Sequence, residues 1–150
     1  MKFFTLEWWR GVQRLEFYDP IPAYQKHLSA IRDQLPIELL AIQETVSLHD
    51  AQLRLLEVSK GGNSLTLLLD GDDGFGGLRQ FTIRYNEVVA FKIIPALTMS
   101  LPGPYGFGDV GYDEVDITPD GHFEHCLLFS SGIEMQTVFR NCRLEYKDIK

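Results

Sequence analysis

The spacing of the hydrophobic residues changes near residue 51, and this change constrains the fold more than any other feature. Before it, apolar residues recur every three or four positions, as on one face of a helix. After it, they alternate with polar residues, as along a strand with one buried face. We therefore predict an α+β protein with two or three N-terminal helices packed on a mostly antiparallel β-meander, a curled sheet or small barrel of about seven or eight strands.

The helical part, residues 1–46, contains three predicted helices. The first runs over residues 6–17, and the hydroxyl of Thr5 is expected to cap it. Pro22 opens the second helix and Pro36 a third, shorter one, because proline fixes φ at a value suited to the first turn. Their apolar stripes indicate that these helices cover another element.

The remaining part, residues 47–150, is predicted to be the β-meander. Its strand candidates are 52–58, 64–69, 78–85, 88–94, 111–118, 122–129 and 133–139, with a weaker one at 143–148. Short glycine-rich or polar turns separate most of them, which favours antiparallel pairing. The whole chain, residues 1–150, is the commonest size for one domain and is predicted to be one.

The turn Thr118-Pro119-Asp120-Gly121-His122 predicts the register of one hairpin. A three-residue loop places Asp116 opposite Glu124 and Val115 opposite His125; the next loop places His125 opposite Thr137. His125 then lies on the apolar face, as a core histidine with one satisfied ring nitrogen. The other face is expected to be polar and open to solvent, with Glu114, Asp116, Thr118, His122, Glu124, Cys126 and Gln136.

The charge distribution is the strongest anomaly. With 14 Lys and Arg against 21 Asp and Glu, the net charge is −7, which argues against nucleic acid as a partner. Residues 93–139 contain no Lys or Arg but seven acidic residues. Opposing carboxylates such as Asp116 and Glu124 destabilise a sheet unless a cation or solvent screens them. A partner site and a solvated acidic face both remain open.

Several apparent motifs do not meet the requirements of their chemistry. Residues 106–111 match G-x-G-x-x-G, but a strand pattern follows instead of a helix, so the 96–110 segment is predicted to be a loop. Residues 70–74 resemble a calcium loop without its required glycine and glutamate, and are predicted to be a hairpin tip. His122 and His125 point to opposite faces of a strand and cannot share one zinc ion. No catalytic residue, metal site or cofactor is predicted.

Cys126 and Cys142 are too few for a disulfide scaffold and are predicted to be free thiols. Carboxylates near Cys126 should raise its pKa and make it a poor nucleophile. The N-terminus lacks the pattern of a signal peptide, and no apolar run approaches the roughly 20 residues that span a bilayer. The cytoplasm is therefore the expected location, with no membrane partner.

Two motifs suggest a family. The opening Met1-Lys2-Phe3-Phe4-Thr5-x-Glu7-Trp8-Trp9 and the later Asp120-Gly121-His122-Phe123-Glu124-His125-x-Leu127-Leu128-Phe129-Ser130-x-Gly132 together resemble a family of small, uncharacterised bacterial proteins. The resemblance implies helices followed by a β-meander and carries over no catalytic residues. Small acidic α+β proteins are also similar in type to immunity proteins of bacterial toxin systems.

These observations predict a non-enzymatic protein-binding domain, an acidic immunity or antidote protein that docks a basic bacterial partner. An acidic surface accelerates the capture of such a partner. The predicted partner-binding residues are Asp109, Asp113, Glu114, Asp116, Asp120, His122 and Glu124. The alternative is a small-molecule or metal-dependent enzyme that uses the face of Asp116, His122 and Glu124. The partner's identity, the oligomeric state and a ligand pocket within the sheet are left open.

Overall fold

The computed structural model describes residues 1–12, 14, 18–95 and 106–149. Its helices are α1 (Leu6–Val12), α2 (Ile21–Ile31) and α3 (Ile37–Glu44), with a 3₁₀ turn at Arg32–Gln34. Its strands are β1 (Gln52–Val58), β2 (Ser64–Asp72), β3 (Leu78–Asn86), β4 (Ala90–Ile94), β5 (Val110–Ile117), β6 (Phe123–Phe129), β7 (Glu134–Phe139) and β8 (Asn141–Ile149). The predicted α+β class is confirmed, and each predicted strand is present with ends within three residues.

The helices begin where the sequence indicates. Thr5 Oγ1 accepts the N–H of Trp8 at 3.1 Å and caps α1. The end predicted for this helix lies at residues outside the described part of the chain. Pro22 is in the first turn of α2 and Pro36 directly precedes α3, as predicted. Within the described ranges, no helix is long and apolar enough to cross a bilayer.

The strands form two antiparallel four-stranded sheets. Sheet A has the order β1-β2-β3-β8 and sheet B the order β4-β7-β6-β5. They do not close into a barrel, so that alternative is wrong; β1 approaches the start of β5 at the bridge Gln52–Asp109. The chain also departs from a simple meander, because it changes sheets between β3 and β4 and again at Arg140, between β7 and β8.

The predicted hairpin registers are confirmed. Asp116 pairs with Glu124, Val115 with His125, and His125 with Thr137. The first of these pairings puts two carboxylates side by side on sheet B, so the like-charge pair predicted from the turn is real.

The hydrophobic core lies between the two sheets and extends under α3. Leu67 and Ile83 of sheet A and Leu127 and Phe139 of sheet B are at most 1% exposed. The rings of Tyr85 and Phe139 join the sheets, with centroids 4.7 Å apart. Burial of these side chains is the main force that holds the sheets together.

The outer face of sheet B is covered over β5, contrary to the prediction that it faces solvent, while Glu124 and Gln136 stay partly exposed. Residues 1–4 and α2 contact it, and Glu114 and Asp116 of β5 retain only 4% and 9% of their exposure. The prediction was wrong because the covering segments are far from β5 in sequence, so the strand's own pattern does not show them.

Candidate functional site

A pocket of about 480 Å³ opens between α2, α3 and β5. Its lining includes Phe4, Tyr24, Gln43, His49, Tyr112 and Asp113. This volume lies in the range of small-ligand sites, and the mixture of aromatic walls with a few polar groups is typical of them. We therefore take this pocket as the candidate functional site.

Asp113 is the carboxylate of the pocket. Strand alternation places it on the same face of β5 as Val115, the face turned toward the core. Its Oδ2 accepts a hydrogen bond from Gln43 Nε2 and lies 3.1 Å from His125 Nε2. Among the described residues, Oδ1 has no hydrogen-bond partner, and the side chain keeps 18% of its exposure. One carboxylate oxygen is fixed by two hydrogen bonds, and the other makes none within the described residues.

A buried chain of hydrogen bonds holds this carboxylate in place. His125, 1% exposed, has Nδ1 2.7 Å from the Tyr85 hydroxyl and Nε2 beside Asp113. Burial raises the pKa of Tyr85, so its hydroxyl keeps its proton. The Tyr85 hydroxyl is therefore a donor beside Nδ1, and the carboxylate of Asp113 accepts from Nε2. Both ring nitrogens have hydrogen-bond partners, whereas the sequence predicted a partner for one of them.

The second support of Asp113 comes from the helices. The Tyr24 hydroxyl donates to Gln43 Oε1 at 2.7 Å and accepts the Val115 N–H at 2.9 Å. Burial raises the pKa of Tyr24 well above its usual value, which keeps this donor protonated. These bonds fix Gln43 in the orientation in which its amide N–H reaches Asp113.

Aromatic rings form the walls of the pocket. Phe4 stacks on Tyr112 with centroids 5.2 Å apart and meets the edge of Tyr24 at 5.1 Å. At the mouth, the ring of His49 meets Tyr112 edge-on at 5.9 Å. The rings give the pocket apolar walls beside the carboxylate of Asp113.

The outer face of β5 is used differently. Glu114 accepts hydrogen bonds from three successive backbone N–H groups, of Lys2, Phe3 and Phe4. Asp116 pairs with Lys2 Nζ and lies 3.0 Å from His27 Nε2. Lys2 of the same chain therefore supplies the positive charge that compensates the like-charge pair of Asp116 and Glu124.

The pKa of Asp116 reflects these contacts. Burial alone would raise it. The hydrogen bonds from Lys2 and from the Ile117 N–H outweigh burial, with help from the charges of Lys2 and His27. The pKa of Asp116 therefore lies below its ordinary value.

The other predicted partner-binding residues are dispersed. Asp109 lies at the opposite end of β5, where its N–H donates to Ser130 Oγ at 3.0 Å. Asp120 is exposed in the β5–β6 turn, next to the half-buried His122. Glu124 accepts a hydrogen bond from Gln136 at 2.7 Å. The seven residues thus do not form one surface.

Asp116 and Glu124, two of the three residues proposed for the alternative enzyme, lie opposite each other on β5 and β6. Asp116 is engaged by Lys2 and His27, and Glu124 by Gln136. In the part of the chain that the structure describes, no three His, Cys, Asp or Glu side chains come together as metal ligands.

Cys126 lies on the same covered face, 1% exposed. Burial is the largest cause that raises the pKa of its thiol, and the charge of Glu124 adds to it. Burial also raises the pKa of Cys142, to about 12. The predicted direction for Cys126 is confirmed, although burial outweighs the neighbouring carboxylates.

The sequence interpretation placed Asp113 in the acidic group and overlooked its partners. Alternation counted back from Val115 puts Asp113 on the face of His125, one step diagonally across the hairpin, and this signal was present. Tyr24, Gln43 and Tyr85 could not be found this way, because they reach the site through the docking of helices and of the second sheet.

Comparison with known proteins adds little. No protein-family model and no curated protein matches the chain. A crystal structure of an uncharacterised protein from Neisseria gonorrhoeae is similar, with 19% identity and a TM-score of 0.45, over 66% of this chain and 93% of that one. Membership of a bacterial family and the likeness to immunity proteins stay hypotheses.

Proposed function

We propose that the chain is a non-enzymatic protein-binding domain that docks a basic partner over the pocket of Asp113. The observation that carries the proposal is the carboxylate of Asp113, which lies among aromatic walls in a protein of net charge −7. Within the described residues, one of its oxygens is hydrogen-bonded and the other is not. A carboxylate beside aromatic rings is a receptor for a cationic side chain. The negative charge of the whole molecule accelerates the approach of such a partner.

The same geometry favours recognition over catalysis. His125 is fully buried behind Asp113, and both of its ring nitrogens are already occupied. The histidine therefore positions the carboxylate and does not reach a bound molecule. General acid–base catalysis needs a group within hydrogen-bond reach of the proton that it transfers, and the buried His125 does not meet this condition.

More specifically, we propose that the partner is a basic bacterial toxin or nuclease. The chain would be its antidote, which masks a cationic groove of the partner. The cytoplasm is the proposed location, where the thiols of Cys126 and Cys142 would stay reduced.

Co-purification from the cells that encode the protein tests this proposal. The wild-type chain should retain a basic protein in low salt and lose much of it in high salt, because the attraction is partly screened. Asp113→Asn removes the charge while its side-chain oxygen can still accept from His125 and Gln43, and it should abolish retention. Glu145→Gln, an equal charge change at an exposed site of β8, should not.

Two results would overturn the proposal. One is the absence of any basic partner in either salt condition. The other is equal retention by wild type and Asp113→Asn, with both shown by circular dichroism to be folded.

A further inference from the structure

We infer that the pocket of Asp113 selects a primary ammonium group, and therefore a lysine side chain of the partner rather than an arginine. This inference rests on the proposed function and specifies its ligand. It follows from which atoms at the base of the pocket remain available and from the shape of the two candidate cations.

The polar groups at the base of the pocket offer acceptors and negative charge. The Tyr24 hydroxyl already donates a hydrogen bond to Gln43 Oε1, and one amide N–H of Gln43 donates to Asp113 Oδ2. What remains includes Asp113 Oδ1 and the second lone pair of Gln43 Oε1. A ligand that satisfies both atoms must donate hydrogen bonds, and one that compensates the carboxylate must be a cation.

The number of free carboxylate oxygens discriminates between lysine and arginine. A guanidinium group gains its advantage from two parallel hydrogen bonds to both oxygens of a carboxylate. Asp113 Oδ2 is occupied by His125 and Gln43, so this paired arrangement is blocked. An ammonium group is a compact charge with three donors that rotate freely, and it can satisfy Oδ1 and Gln43 Oε1 together.

The walls suit the rest of a lysine side chain. Phe4, Tyr24 and Tyr112 pack ring against ring and leave apolar surface along the pocket. The methylene stem of lysine packs on such surface while its charged end reaches the base. His49, which is exposed, also lines the pocket, and its ring meets the edge of Tyr112.

Titration with short peptides tests the inference on the purified chain. The probes are four N-acetyl, C-amide tripeptides, Gly-X-Gly, in which X is lysine, arginine, acetyl-lysine or norleucine, followed by NMR or calorimetry. We expect the lysine peptide to bind about tenfold more tightly than the acetyl-lysine and norleucine peptides, and measurably more tightly than arginine. Asp113→Asn should reduce lysine affinity to that of norleucine, whereas Glu145→Gln should leave it unchanged.

The comparison among peptides uses the wild-type protein and does not depend on the folding of a variant. Arginine binding as tightly as lysine, or norleucine binding as tightly as lysine, would overturn the inference. A basic partner that co-purifies without any lysine preference would refute the inference and leave the proposed function standing. Lysine selectivity without any protein partner would do the reverse.

Discussion

The outer faces of the two sheets follow the same alternating sequence pattern but differ in their exposure to solvent. On sheet A, the outer side chains of β2 and β3 are partly or fully exposed, and Asp70 is paired with Arg54 at 2.8 Å near the surface. On sheet B, residues 1–4 and α2 lie over the corresponding face, and Glu114 and Asp116 are buried there.

The difference shows what burial demands of a carboxylate. On an open face, water solvates the charge, and an ion pair contributes little. On a covered face, the charge must be fully hydrogen-bonded or neutralised. Glu114 meets this demand with three backbone N–H groups, and Asp116 meets it with Lys2, His27 and a backbone N–H. Glu114 and Asp116 therefore act first as anchors for the N-terminal segment.

The largest expected effect comes from a charge placed inside sheet B. His125→Asp would put a second carboxylate beside Asp113 and remove the partner of the buried Tyr85 hydroxyl. We expect a loss of about 3–5 kcal/mol in unfolding free energy, enough to unfold many domains. Urea denaturation measures it. Arg143→Asp, the same new residue on the exposed face of sheet A, should change stability by less than about 1 kcal/mol. Equal effects would mean that the core face of sheet B is no more sensitive to a new charge than the outer face of sheet A.

A smaller loss of unfolding free energy is expected when Glu114, which anchors residues 2–4, is replaced by its neutral isostere. Glu114→Gln keeps the shape of the side chain but weakens its acceptance of the backbone N–H groups of residues 2–4. Hydrogen bonds to a charged group are the stronger kind, so we expect a loss of about 1–3 kcal/mol in urea denaturation. The matched change Glu145→Gln on sheet A should stay within about 0.5 kcal/mol. If both variants were equally stable, Glu114 would not be an anchor.

The contribution of Asp116 should depend on pH in one direction. Its pKa is lowered in the folded protein, so between the folded and the unfolded pKa the unfolded chain binds more protons. Its stabilisation is complete above about pH 5 and is lost as the pH falls below about 4 and through the folded pKa. The stability difference between wild type and Asp116→Asn, measured from neutral to acid pH, should therefore shrink on acidification. A difference that grew on acidification would contradict the assignment.

The smallest effect concerns a like-charge pair on the open face. Arg84 and Arg143 lie directly opposite each other on β3 and β8, and both are exposed. Arg143→Glu replaces repulsion with attraction and should stabilise the protein by a few tenths of a kcal/mol, about the value of one cross-strand pair. Thermal denaturation in low salt would detect it. A loss of stability would show that this face is not freely solvated.

The strands and their registers were predictable because they depend on local chemistry. Alternation located β1 to β8, and the Pro119-Asp120-Gly121 turn fixed the pairing of Asp116 with Glu124. The division into two sheets was not predictable, because Arg140 carries no signal of a change of sheet. The covering of Glu114 was also hidden, since it depends on backbone N–H groups 110 to 112 residues away.

The candidate site was predictable only in part. The need for a cation near Asp116 followed from the like-charge pair, but the sequence could not show that Lys2 supplies it. Asp113 and His125 share a face by simple counting. Their connection to Tyr24 and Gln43 depends on how α2 and α3 dock, which the apolar stripes of these helices do not specify.

The central claim is that two acidic residues of β5 have different roles. Asp113 binds a partner, and Asp116 stabilises the fold. The most direct test is the affinity of the lysine tripeptide for Asp113→Asn and for Asp116→Asn, measured at neutral pH after circular dichroism has shown each variant to be folded. The account predicts that Asp113→Asn loses at least about tenfold in affinity, while Asp116→Asn keeps the wild-type affinity within about twofold. A loss confined to Asp116→Asn would contradict it and place the binding surface on the outer face of sheet B.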